Sequence, residues 1–251
     1  MEAKMVDVAN QQIYEKLTNG NGKYWVIFVV LHIVILFILT LWILVSIYKK
    51  KINKQKEQAG IRAEENAMIY LKNFAQENNF TLLNGIFSLI DSKGKDVQFE
   101  SDGVLITNSS IVVFEVKSNR PVIKSKSIDT FQVYKVNEKR KLIDFPSPVL
   151  QNAKHIEHFR NIIDSEIPIY SVIFFINATD VQVNYNESNL LFLCAKEPMQ
   201  KLANFLNEKA QNDKHFSETQ KQTLITIINN AKASEEAMFK FYNTIGKYDK
   251  N

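Results

Sequence analysis

The stretch Glu100-Ser-Asp-Gly-Val-Leu-Ile-Thr-Asn-Ser-Ser-Ile-Val-Val-Phe-Glu-Val-Lys117 predicts two β-strands joined by a polar turn. Residues 108–110 are Asn and Ser, which favour turns because their side chains bond to the nearby backbone. They separate an apolar strand end at 104–106 from the run 111–116, which has the β-branched and aromatic composition of a buried strand. The stretch therefore predicts an antiparallel strand pair as the centre of the fold.

Three charged residues, Asp102, Glu115 and Lys117, occupy positions in these strands where apolar residues are expected. Residues i and i+2 of a strand point to the same face, so Glu115 and Lys117 project together, and the hairpin brings Asp102 beside them. Buried charges are costly unless they pair or bind a metal, and two carboxylates suit Mg²⁺. The cluster therefore predicts a metal-assisted site with a lysine that offsets negative charge. An ordinary strand that ends in a surface Glu–Lys pair is the alternative.

Composition limits the classes of protein that fit the chain. The 251 residues allow one or two domains, and a net charge of +4 permits a nucleic-acid partner without demanding one. The single cysteine, Cys194, excludes an internal disulfide and fits a reducing compartment. Because the sequence has no Cys/His cluster, a structural zinc site is not expected.

Residues 24–48 form a continuous apolar segment that follows a short polar tail at 1–23. Between Tyr24 and Lys49 there is no Asp, Glu, Lys or Arg. At about 1.5 Å per residue, a helix of this length spans the ~30 Å hydrocarbon core of a bilayer. Aromatic residues lie at both ends, as in the belts at membrane interfaces. The segment predicts a single transmembrane helix.

The segment 49–59, which follows the helix, is predicted to be a basic juxtamembrane linker, and its lysines predict the orientation of the helix. Positive charge favours the cytoplasmic side, so we expect the N-terminus outside and residues 60–251 in the cytoplasm. The lysine run has a second interpretation, a nucleic-acid patch. Its position directly after a membrane span favours topology and contact with lipid headgroups.

The remaining pattern predicts an alternation of helices and strands. A helix is expected at 61–78. After Lys117 we expect a basic and irregular stretch that contains one exposed strand at 131–136. A second helix is expected to begin at Pro148. Further predicted elements are a buried parallel strand at 167–177, a short strand at 190–194, and closing helices at 198–210 and 218–242. The apolar stripe expected on the Pro148 helix consists of Val149, Ala153, Ile156, Phe159 and Ile163.

Four short motifs follow one another along the chain: Gly60-Ile-Arg-Ala-Glu64, Glu100-Ser-Asp102-Gly-Val-Leu-Ile, Phe114-Glu115-Val116-Lys117 and Pro148-Val-Leu-Gln151-Asn-Ala-Lys-His155. In this order they resemble the motifs of the nuclease-related domain family, NERD, within the PD-(D/E)xK nuclease superfamily. Ala63 replaces a glycine of the family pattern, and Ser101 replaces an apolar residue. The resemblance covers about Gly60 to Asn177. It implies an α/β, restriction-endonuclease-like core of helix, three strands, helix and strand, within a domain at 60–195 that is followed by C-terminal helices at 196–251.

The resemblance also implies roles for the matched residues. Asp102 and Glu115 are expected to bind Mg²⁺ or Mn²⁺ together with the backbone carbonyl of Val116. Lys117 is expected to orient the attacking water or to stabilise the transition state. Each assignment has a structural alternative, which for Lys117 is the neutralisation of Glu115.

Two more residues complete the candidate catalytic set. The resemblance implies that Glu64 reaches the metal through water and that Gln151 positions a phosphate or a ligand. A surface position for Glu64 and a backbone-capping role for Gln151 are the alternatives. His155 and His158 are expected to be surface or packing histidines on the Pro148 helix.

The expected function is that of a membrane-anchored, Mg²⁺-dependent nuclease that hydrolyses phosphodiester bonds, with DNA as its partner. The alternative is a nucleic-acid-binding or scaffold module at the membrane that kept the fold and does little catalysis. Metal binding separates the two, because a scaffold has no need of Mg²⁺.

Overall fold

The computed structural model describes residues 11–12, 15, 20–90, 94–118, 122–135, 141–184 and 187–244. The chain divides into two compact units, Met1–Gln58 and Ala59–Asn251. Helices in the described residues are α1 (Gly20–Glu77), α2 (Pro148–Arg160), α3 (Pro198–Ala210), α4 (Glu218–Asn230) and α5 (Glu235–Thr244). Strands in the same residues are β1 (Thr81–Ile90), β2 (Asp96–Ile106), β3 (Ile111–Lys117), β4 (Val122–Ser127), β5 (Thr130–Lys135), β6 (Lys141–Phe145), β7 (Ile169–Phe175), β8 (Asp180–Val183) and β9 (Leu190–Cys194).

The predicted apolar helix lies within α1, and all side chains from Tyr24 to Tyr48 are exposed. By length and composition this helix is able to cross a membrane. The basic segment 49–59, predicted as a linker, is helical as well. The polar tail predicted at 1–23 lies largely outside the described residues.

A five-stranded sheet with the order β1-β2-β3-β7-β9 forms the centre of the second unit. Strands β1, β2 and β3 are antiparallel neighbours, whereas β7 pairs in parallel with both β3 and β9. The hairpin predicted at 108–110 and the buried parallel strand predicted at 167–177 are both confirmed. A bulge between Leu83 and Gly85 interrupts the first pair of strands, and Gly85 has a φ of 123°, which favours glycine.

The prediction of an irregular stretch after Lys117 is wrong. Strands β4, β5, β6 and β8 form a second sheet with the order β6-β5-β4-β8. Phe131, predicted on an exposed strand, is fully buried, and its ring lies 6.3 Å from that of Phe175. The many lysines of this region obscured the period-two alternation, in which Ile123 is buried and Lys126 is exposed.

The two faces of the five-stranded sheet have separate cores, because alternate residues of a strand point to opposite faces. Phe114 and Val116 pack in one core with apolar residues of α1, such as Leu71. Val113 packs in the other core, which contains Phe159 of α2. Glu115 has the same parity as Val113, so its side chain is directed to the α2 side of the sheet. Both sheets are mixed, which confirms the α/β class, while the restriction-endonuclease-like topology stays a prediction.

Helix α2 begins at the predicted proline, and Ser147 caps it by accepting a hydrogen bond from the N–H of Leu150. The predicted stripe is partly wrong, since Ala153 is exposed and Asn152 is fully buried. The Asn152 amide donates to the carbonyl of Val113 and to the hydroxyl of Ser171, each at 2.8 Å. A polar anchor at this position ties the helix to β3 and β7.

The closing helix predicted at 218–242 consists of two helices, α4 and α5. Between them the backbone leaves the helix to bond with β1. The carbonyl of Ala231 accepts from the N–H of Ser88, and the N–H of Ala233 donates to Ile86. Because these bonds satisfy an otherwise open strand edge, the helix is interrupted there.

Candidate active site

Asp102 lies where the pairing between β2 and β3 stops. The last residue pair in the register is Gly103 with Phe114. Beyond it, Oδ2 of Asp102 accepts a hydrogen bond of 2.7 Å from the backbone N–H of Val116. The carboxylate thus takes the place of a backbone acceptor at the end of the strand pair. The side chain of Val116 itself is buried in the core on the α1 side.

Glu115 is buried with only 2% of its surface exposed, and it meets partners at both carboxylate oxygens. Nζ of Lys117 contacts Oε1, which confirms that these two side chains project together. Nε2 of His155 lies 3.5 Å from Oε2. The Lys117 side chain keeps 25% of its surface exposed, so it extends from the buried carboxylate towards solvent.

Helix α2 supplies two residues to the site. Oε1 of Gln151 accepts a hydrogen bond of 3.0 Å from Nζ of Lys117. His155 follows one turn later on the same helical face, beside Glu115. Gln151 therefore contacts Lys117 rather than capping the backbone.

The two α2 histidines both pack on Phe99, with ring centroids at 5.5 Å for His155 and 4.8 Å for His158. A surface or packing position was predicted for both, and for His155 this prediction is incomplete because the residue also reaches Glu115. The spacing of four residues from Gln151 was the sequence signal that placed His155 on the same side of the helix.

A cleft of about 560 Å³ opens beside Asp102. Glu64 lines it together with Asp102 and Glu100, so the structure brings Glu64 to the site. Tyr242 of α5 lines the same cleft, and its hydroxyl lies 3.4 Å from Oε1 of Glu100. Sequence reasoning assigned no site residue to the closing helices, and no motif in the sequence marked Tyr242.

The electrostatics of the site centre on Asp102, whose pKa is raised from 3.8 to about 8. Burial is the largest cause, followed by repulsion from Glu115, with a smaller contribution from Glu64. The N–H of Val116 and the charge of Lys117 act in the opposite direction. The carboxylates of Asp102 and Glu115 oppose each other's ionisation. A cation bound to both would relieve that repulsion.

The donor atoms of the site fit a hard cation. Each oxygen of an ionised carboxylate has two lone pairs. The described contacts use one lone pair on Oδ2 of Asp102 and one on each oxygen of Glu115, so further lone pairs remain available to a cation. Within the described ranges, no three His, Cys, Asp or Glu side chains are arranged to hold a metal. A cation at Asp102 and Glu115 therefore needs backbone oxygens and water as further ligands, which is the coordination that Mg²⁺ favours.

Residues 59–176 match the family model of the nuclease-related domain, NERD. This part of the chain is similar to nuclease-related domains. The resemblance noted from the four sequence motifs is thereby confirmed. The domain contains Glu64, Asp102, Glu115, Lys117 and Gln151, whereas Tyr242 lies outside it. No curated protein and no solved structure matches the chain.

Proposed function

We propose that this protein is a membrane-anchored, Mg²⁺-dependent nuclease that hydrolyses phosphodiester bonds in DNA. One observation carries the proposal: Asp102, Glu115 and Lys117 meet at the end of a strand pair, where the pKa of Asp102 is raised to about 8. Such a perturbed carboxylate is typical of a functional site. The nuclease-related domain that contains all three residues supports the reaction class.

Asp102, Glu115 and the carbonyl of Val116 are the residues that would hold the cation. The carbonyl of Lys117 accepts from Ile176 on the β7 side, whereas the N–H of Val116 is directed to Asp102 on the β2 side. Since the N–H and C=O of one strand residue point to the same neighbour, the Val116 carbonyl is also directed to Asp102. When bound there, Mg²⁺ supplies Lewis-acid activation of water and phosphate.

The other residues act around these ligands. Lys117 is held between Glu115 and Gln151, and its exposed portion leaves the ammonium able to meet the charge that develops on a phosphate. Glu64 lines the cleft beside Asp102, where it would orient water bound to a cation. Gln151 fixes the position of Lys117 through their hydrogen bond.

The membrane anchor is residues 24–48 of α1. Every side chain of this segment is exposed in the structure, and such a surface is stable when lipid covers it. The lysines at 49–59 support a cytoplasmic position for the nuclease-related domain, because positive charge favours the cytoplasmic side of a membrane.

The test is cleavage by the full chain, purified in detergent. Single-stranded DNA, duplex DNA and RNA are each incubated with Mg²⁺, with Mn²⁺ and with a chelator. We expect cation-dependent cleavage of DNA that is lost in Asp102→Asn and Glu115→Gln. Glu157→Gln removes an exposed carboxylate of α2 and serves as the matched control. If the wild-type protein cuts none of the three substrates, the enzyme proposal is wrong. If it binds nucleic acid without cutting it, the binding-module alternative is favoured.

A further inference from the structure

We infer that His155 is a positioning residue for Glu115, which it holds through the N–H of its Nε2. The inference rests on the proposed function, because it gives Glu115 the role of a cation ligand. His155 lies within the domain, but the sequence predicted only a surface or packing position for it.

The contact between the two side chains defines which ring nitrogen is protonated. Nε2 of His155 lies 3.5 Å from Oε2 of Glu115, a carboxylate that sits in the core. An ionised carboxylate only accepts hydrogen bonds, so the nitrogen that faces it must carry the proton. The pair is slightly longer than an ordinary hydrogen bond of about 2.7–3.2 Å, and contacts of this kind in unliganded sites tighten when the complex forms.

The other ring nitrogen supports the same tautomer. Nδ1 of His155 is buried and has no hydrogen-bond partner among the described residues. In the tautomer with its proton on Nδ1, that proton would be a buried donor without an acceptor, and the ring would have no N–H facing the carboxylate. With the proton on Nε2, the ring meets the carboxylate and only the Nδ1 lone pair stays unsatisfied. Stacking on Phe99, at an interplanar angle of 21°, fixes the plane of the ring.

Glu115 needs a second partner because Lys117 contacts one of its oxygens. Without His155, the carboxylate would be free to rotate towards the ammonium and present the wrong lone pairs to a cation. Helix α2 prevents this from two positions one turn apart: Gln151 holds Lys117, and His155 holds Glu115. Loss of such an outer partner typically weakens metal affinity by about 10–100-fold.

Three variants of the full chain in detergent separate the contact from the packing. His155→Phe keeps a ring on Phe99 and removes the N–H. His155→Gln restores an N–H near the place of Nε2. His158→Phe is the matched control, since His158 packs on the same Phe99 ring from one turn along the helix.

The first measurement is Mn²⁺ affinity by calorimetry. We expect His155→Phe to bind about tenfold more weakly than wild type, His155→Gln to recover to within about threefold, and His158→Phe to match wild type. Equal affinities of wild type and His155→Phe would overturn the inference, as would an equal loss in His158→Phe.

The second measurement is the tautomer of His155 in the metal-free chain by ¹⁵N NMR, with His155→Phe used to assign the signal. We expect the pattern of a ring protonated on Nε2, and a ring without a proton on Nε2 would overturn the inference. This readout needs no cation. If the wild-type chain binds no Mn²⁺, the proposed metal dependence fails, while the tautomer still decides the role of His155.

Discussion

The carboxylate of Asp102 accepts a hydrogen bond of 2.7 Å from the backbone N–H of Val116. A side chain here replaces the backbone partner that β2 would otherwise offer to β3. The bond holds the carboxylate at the end of the sheet, beside Glu115, so the position of the site depends on the strand pairing. Variants of Asp102 therefore need to keep an acceptor for this N–H, which Asn does and Ala does not.

Removal of either carboxylate is expected to abolish Mg²⁺ binding without unfolding the protein. Asp102→Asn and Glu115→Gln each remove one ligand charge while keeping a similar shape. At a pH above the pKa of Asp102, metal-free Asp102→Asn should be at least as stable as wild type, because the repulsion between the two carboxylates is relieved. Calorimetry and thermal denaturation measure the two effects. Unchanged Mg²⁺ affinity in both variants would refute the ligand assignment, and Glu157→Gln is the control for charge alone.

The pKa of Asp102 predicts how stability depends on pH. In the metal-free protein this pKa is about 8 against an ordinary value of 3.8, so the folded state holds a proton that the unfolded state has released. The stabilising contribution is complete below the ordinary pKa and is lost as the pH rises through the folded pKa. As the pH is raised from about 5 to about 9, we expect the melting temperature of the metal-free wild type to decrease relative to that of Asp102→Asn. A parallel profile for the two proteins would contradict this.

The same pKa predicts the pH dependence of cation binding. A cation at Asp102 displaces the proton, so the apparent Mg²⁺ affinity should rise over the pH range in which the proton leaves. Proton release on binding, measured by calorimetry in buffers of different ionisation enthalpy, checks this. A constant affinity from about pH 6 to about pH 9 would count against Asp102 as a ligand.

Lys117→Ala distinguishes an enzyme from a binding module. In an enzyme this ammonium interacts more strongly with the transition state than with bound substrate, so its loss should slow cleavage by about 10²–10³-fold while affinity changes little. Lys117→Arg should restore little activity, since the planar guanidinium does not reproduce a compact charge. A binding module predicts weaker affinity and a salt dependence reduced by about one phosphate contact. Cleavage rate and affinity are measured on the same preparations, with the exposed Lys126→Ala as the control.

The orientation of the anchor is testable with a reporter fused after Asn251. The lysines that flank the apolar segment predict a cytoplasmic reporter. Replacement of the lysines between 49 and 56 by glutamine should reduce this bias. A reporter on the outer face of the membrane would overturn both the orientation and the access of the domain to intracellular DNA.

Much of the site was predictable from local rules. The period of two along a strand places Glu115 and Lys117 together, and the polar turn at 108–110 returns the chain so that Asp102 joins them. The position of Pro148 and the four-residue spacing of Gln151 and His155 set the helix that faces them. All of these relations operate over a few residues, so composition and spacing reveal them.

Long-range contacts decided the rest. The second sheet, with Phe131 buried, arises because strands distant in sequence cover a shared apolar surface that no single segment shows. The buried Lys221 is similar: its ammonium donates to the carbonyl of Asn79 and the side chain of Asn108, more than a hundred residues away. No residue near Lys221 in the sequence indicates that its ammonium binds these distant partners.

The sequence by itself determined the apolar helix, the hairpin and the identity of the charged cluster, because each depends on neighbours along the chain. Only the tertiary structure decided that His155 meets Glu115, that Tyr242 borders the cleft beside Asp102, and that the pKa of Asp102 rises. Burial and charge repulsion depend on which surfaces the fold brings together, and that is fixed by the packing of the whole domain.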